Sequence, residues 1–122
     1  MKKTVLIVED NDANRTLLHD ILIFHSYEVI EAVNGEDGVR IAAERLPDLI
    51  FMDIQMPVMN GYTAIRLLRE DQRTKNIKVV AVTSFAMAGD RDRVMQSGAD
   101  EYISKPINTR ELPGVIERLI GK

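Results

Sequence analysis

Leu49-Ile50-Phe51-Met52-Asp53-Ile54-Gln55-Met56-Pro57 decides the fold: a short apolar run, bounded by Pro47 and Pro57, that closes on a single carboxylate. A run of this length with no polar alternation reads as a strand buried on both faces. In an open α/β sheet, ligands bind outside the carboxyl ends of the strands. Asp53, at such an end, is therefore placed for chemistry rather than packing.

The same grammar recurs on both sides. Thr4 to Val8 is β-branched and apolar and ends in Glu9-Asp10. Lys78 to Val82 ends in Thr83, Glu101-Tyr102-Ile103-Ser104 is closed by Lys105 and Pro106, and Tyr27 to Ala32 gives one more short strand. Helical spacing fills the intervals. Asn11 or Asp12 caps a first helix with Leu17, Leu18, Ile21 and Leu22 inward, and Asn34-Gly35 opens a second with Val39, Ala42, Ala43 and Leu46 inside. A third helix turns Ile65 and Leu68 inward, and a short fourth, about Asp90 to Ser97, is anchored by Val94 and Met95 and stopped by Gly98. The last starts at Asn108 or Thr109, with Glu111 placed to cap it and Leu112, Val115, Ile116 and Leu119 inward. Pro113-Gly114 should disturb its first turn and move the helix proper toward Leu112. Five strands alternating with five helices argue an α/β fold, a parallel sheet with helices on both faces joined by right-handed crossovers.

Composition narrows the function. A chain of 122 residues fits one domain, 1–122. It has no cysteine, hence no disulfide framework and no thiolate metal site. Net charge is -3 with both signs dispersed, which leaves no electrostatic footprint for nucleic acid. Met1-Lys2-Lys3 runs into an apolar stretch too short for a signal peptide or membrane span, so the expectation is a cytoplasmic protein with no membrane partner. His19 and His25 lack metal-ligand spacing, and Met56, Met59 and Met87 read as packing residues.

Parallel strands bring Glu9, Asp10, Asp53, Thr83 and Lys105 to one edge. Three carboxylates gathered there repel one another unless a cation joins them. An all-oxygen set with room for water suits Mg2+ better than Ca2+. Three negative charges then balance Mg2+ and the Lys105 ammonium, so an anionic phosphoryl group can approach. Asp53 is suited to attack phosphorus and form an acyl phosphate, Lys105 to hold a phosphoryl oxygen and Thr83 to donate to another.

Val8-Glu9-Asp10-Asn11, the stretch from Met52 to Gly61, Val82-Thr83-Ser84 and Ser104-Lys105-Pro106 resemble, in order and separation, the successive motifs of response-regulator receiver domains of two-component signalling. Asn11-Asp12-Ala13-Asn14 and the stretch from Phe85 to Asp90 are similar to a subset: stand-alone cell-cycle regulators and the receiver modules of hybrid histidine kinases. The resemblance implies a flavodoxin-like, CheY-like sheet in the order 2-1-3-4-5, with Asp53 as phosphoacceptor. It implies Mg2+ held by Glu9, Asp10, Asp53 and the Gln55 backbone carbonyl, a cis proline at Pro106, and Thr83 and Tyr102 as a switch pair. The donor would be a histidine kinase or histidine phosphotransfer protein, and the output phosphorylation-dependent binding of a downstream target protein near the fourth helix, fifth strand and fifth helix, by a monomer or weak dimer. Two rivals remain. An Mg2+-dependent aspartyl-phosphate phosphatase would want a second acid two residues past the nucleophile, where this chain has Gln55. A receiver-like binding module working without phosphorylation is argued against by the intact set of polar residues.

Overall fold

The structure, a computed structural model, describes residues 2–84 and 88–121, with the side chains of 88 and 89 excepted. Phe85 and Met87, which the sequence singles out, lie outside the described residues. The elements run β1 (Thr4–Val8), α1 (Asp12–Phe24), β2 (Glu28–Ala32), α2 (Gly35–Arg45), β3 (Leu49–Asp53), α3 (Gly61–Glu70), β4 (Lys78–Thr83), α4 (Ala88–Gln96), β5 (Glu101–Ser104) and α5 (Leu112–Ile120). All strand pairs are parallel and the sheet order is β2-β1-β3-β4-β5, as the resemblance implies.

Strand alternation divides the core in two. Leu6, Val8, Ile50, Met52, Val79 and Ala81 face α2, α3 and α4, where they meet Ala42, Ala64, Ile65, Leu68 and Val94. Val5, Ile7, Leu49, Phe51, Val80 and Val82 face α1 and α5, against Leu18, Leu22, Leu112, Val115 and Ile116. The three central strands are covered on both sides, which is why their sequences are continuously apolar.

Several expected inward residues lie elsewhere. Leu17 is exposed beside buried Leu18, and Met95 beside buried Val94; neighbours on a helix point about 100° apart, and on α1 and α4 one member of each pair turns off the face that meets the sheet. Leu46 is exposed because it is the C-cap of α2, with φ 47, and has left the helical path. Ala43 is half-buried. Glu111 stands at the N-cap of α5 but makes no side-chain capping bond, and α5 begins at Leu112 with Pro113 in its first turn, where a missing N–H costs least.

The loop after β3 is held against the sheet. Gly61 N–H donates to Ile54 O at 3.0 Å, and a Cβ on Gly61 would stand 2.5 Å from Asp53 O, so α3 can start this close only with glycine. Asn60 accepts from Thr63 N–H and caps the helix. At the opposite edge, Gly98 at φ 113 ends α4 and returns the chain to β5.

Candidate functional site

The carboxyl ends of β1, β3, β4 and β5 converge on one buried group, Asp53, 2% exposed. Glu9, one residue past β1, is 1% exposed and Asp10 beside it is exposed. One carboxylate oxygen from each of Glu9, Asp10 and Asp53 lies within 4.8 Å of the other two. The turn into α1 fixes the acidic pair. Glu9 Oε2 accepts from Asn11 N–H at 3.2 Å, Asn11 caps α1, and the Arg15 guanidinium reaches back to donate to Glu9 O at 2.9 Å.

Lys105 comes to this cluster from β5. Its N–H donates to Thr83 O at 2.7 Å, and its Nζ stands 3.0 Å from Glu9 Oε1 and 3.3 Å from Asp53 Oδ2. The peptide between Lys105 and Pro106 is cis. Glu9 Oε1 is close enough to pair in charge with Lys105 but accepts no well-directed hydrogen bond among the described residues. Burial, then hydrogen bonding and repulsion from Glu9, raise the Asp53 pKa from 3.8 to about 7, against the opposing pull of Lys105 and the Gln55 N–H. For Lys105, burial lowers the pKa, but contact with Glu9 and the attraction of Asp53 outweigh it and leave the ammonium above its ordinary value. Three carboxylates facing one ammonium, with an undirected buried oxygen among them, fit a hard divalent cation such as Mg2+.

Thr83, 1% exposed, ends β4. Gln55 Nε2 donates to Thr83 Oγ1 at 2.6 Å, Gln55 Oε1 accepts from Ser84 N–H at 2.9 Å, and Gln55 N–H donates to Asp53 Oδ1 at 3.1 Å. Tyr102 pairs with Ala81 and Thr83 with Ser104 in the β4–β5 register, so Tyr102 and Thr83 share one face of the sheet, with Tyr102 half-buried against the α2–α3–α4 core. The structure thus brings Glu9, Asp10, Asp53, Thr83 and Lys105 together at one sheet edge, with Tyr102 two positions back along the neighbouring strand. Sequence reading assigned the Gln55 backbone a metal-binding role and set its side chain only against the acid a phosphatase would want there; the reach of its carboxamide to β4, and of the Arg15 guanidinium to Glu9, has no local pattern to reveal it.

A parallel sheet in this order, with an acidic cluster and a lysine at its carboxyl edge, defines a CheY-like architecture. Residues 5–117 match the family model of the response regulator receiver domain, and the chain belongs to that family. It is 42% identical over 121 residues to the polar-differentiation response regulator DivK of Brucella anthropi, covering 99% of this chain and 98% of the relative. Among solved structures it resembles the receiver domain of a sensor histidine kinase from Pseudomonas aeruginosa PAO1, described with a magnesium ion coordinated in the active site cleft: TM-score 0.92, 34% identity, all of both chains covered. It also resembles a co-crystal structure of the Saccharomyces cerevisiae histidine phosphotransfer signaling protein Ypd1 and the receiver domain of its downstream response regulator Ssk1. There the TM-score is 0.89 and the identity 32%, with 98% of this chain and 89% of that chain covered. Among the described residues no helix is long and apolar enough to cross a membrane.

Proposed function

We propose that this protein is a response regulator of the DivK kind, accepting a phosphoryl group on Asp53 from a phosphohistidine of a histidine kinase or phosphotransfer protein, and signalling in the cytoplasm by phosphorylation-dependent protein binding. The observation that carries this reading is the pairing of Lys105 with both Glu9 and a buried Asp53. A carboxylate so enclosed is unfavourable when ionised, and a cation beside it turns it into a nucleophile. Glu9, Asp10, Asp53 and the Gln55 carbonyl would hold Mg2+, which supplies charge neutralisation and orientation to the incoming group.

Asp53 Oδ forms the new bond to phosphorus as the P–N bond to the donor imidazole breaks, the electron pair leaving with the imidazole. Lys105 Nζ, within reach of Asp53, holds one equatorial oxygen. Thr83 donates to another on moving inward, Tyr102 follows it on the same sheet face, and Pro106 shapes the loop that carries Lys105. The magnesium of the Pseudomonas receiver and the pairing of a phosphotransfer protein with a receiver in the yeast co-crystal support the cofactor and the donor class. A turnover phosphatase is disfavoured because Gln55 offers a carboxamide where a general acid would stand, and that carboxamide is occupied by Thr83 and Ser84.

Intact-mass measurement after incubation with a small acyl-phosphate donor and Mg2+ tests the reading. Wild type gains one phosphoryl group and Asp53→Asn gains none; a wild type that gains nothing overturns the proposal.

A further inference from the structure

The geometry points to Gln55 as a positioning residue whose side chain latches the end of β4 in the unphosphorylated state and must let go before a phosphoryl group on Asp53 can be fully bound. The inference rests on the reading of Asp53 above and adds a competitor for a neighbouring donor, the Ser84 N–H. Gln55 is anchored two residues past Asp53, with its own N–H on Asp53 Oδ1 at 3.1 Å. From there its carboxamide spans to β4 and engages two consecutive groups, the Thr83 hydroxyl at 2.6 Å and the Ser84 N–H at 2.9 Å. A planar amide bonded at both ends is a fork with one fitting orientation. Because the Ser84 N–H is taken up by Gln55 Oε1, it cannot at the same time point at a phosphoryl oxygen on Asp53. Inward movement of Thr83 likewise stretches its 2.6 Å bond to an amide held at the end of another strand. A ligand therefore gains the Ser84 N–H only at the expense of its bond to Gln55, and the resting state is favoured by that difference.

The prediction is specific to the carboxamide. Gln55→Met keeps the length and removes both hydrogen bonds, so the phosphoryl analogue fluoroberyllate, titrated at saturating Mg2+ and followed by amide NMR, binds about tenfold more tightly to the variant than to wild type, as expected for relief of roughly one net hydrogen bond. In wild type, the same titration moves the Gln55 side-chain amide protons and the Ser84 amide together as the fork opens. Equal or weaker binding by Gln55→Met overturns the latch. So does a wild-type Gln55 carboxamide whose resonances stay in place while the Ser84 amide moves. Wild type that binds fluoroberyllate yet behaves in either way defeats the latch alone; wild type that neither binds it nor gains a phosphoryl group defeats the receiver reading and the latch with it.

Discussion

The two edges of this sheet are both built on charged side chains, and they are built in opposite ways. At the amino edge, Arg69 from α3 donates to Gly98 O, Lys75 O and Ile77 O and pairs with Asp100 at 2.8 Å, while the same Asp100 oxygen accepts from Val79 N–H. One cation meets one anion, and the loops entering β4 and β5 spend their carbonyls on it. At the carboxyl edge, three carboxylates meet one ammonium, and among the described residues one buried carboxylate oxygen has no directed hydrogen bond. The amino edge is a satisfied network that holds the fold. The carboxyl edge is an under-compensated one, whose missing positive charge the proposed cation and phosphoryl chemistry would use.

Breaking the amino edge should cost most. Arg69→Ala leaves Asp100 and several loop carbonyls without their partner and should destabilise the protein by about 3 kcal/mol, read as a drop in the urea midpoint at constant slope. Because that network has no part in the proposed cation site, the loss should be the same with Mg2+ or with a chelator. A loss that Mg2+ reverses would erase the distinction between the edges.

Neutralising the carboxyl edge should have the opposite sign. With its pKa raised from 3.8 to about 7, folded Asp53 keeps a proton that the unfolded chain has already released between those values. Stability therefore falls as pH rises across that window and stays low above it. Asp53→Asn removes this term, so in chelator the variant should exceed wild type by about 2 kcal/mol at pH 8 and by much less at pH 5. Mg2+ should narrow the pH 8 gap by binding folded wild type. A variant less stable than wild type at pH 8 would contradict the charge imbalance.

A smaller test lies beside Asp53. Val58 is 84% exposed and holds φ 70, with Met59 N–H bonded to Pro57 O at 2.8 Å across a three-residue turn. A β-branched residue is strained there. Val58→Gly should stabilise the protein by about 1 kcal/mol after the entropy of the added glycine is subtracted, measurable as a small rise in midpoint.

These contrasts also explain what the sequence could disclose. Leu49 to Asp53 and Lys78 to Thr83 are legible because strands covered on both faces must be apolar throughout, so the first polar residue marks the edge of the sheet. Parallel pairing then gathers Glu9, Asp53, Thr83 and Lys105 without any knowledge of contacts. Helical stripes are less sharply written: Leu17-Leu18 and Val94-Met95 present adjacent apolar residues, of which packing selects one. Tertiary hydrogen bonds leave no local mark at all. Gln55 finds Thr83 28 residues away and Arg69 finds Asp100 31 residues away, and neither pairing has a period or a spacing to reveal it.

The most direct test of the account is to locate the phosphoryl group itself. Protein treated with an acyl-phosphate donor and Mg2+, then with borohydride, should carry homoserine at position 53 in its peptide map, since borohydride reduces an aspartyl phosphate to the alcohol and leaves free carboxylates alone. Homoserine at 53, lost when Mg2+ is chelated, is the predicted result. A phosphorylated protein whose map is unchanged at 53, or altered at 9 or 10 instead, would contradict it.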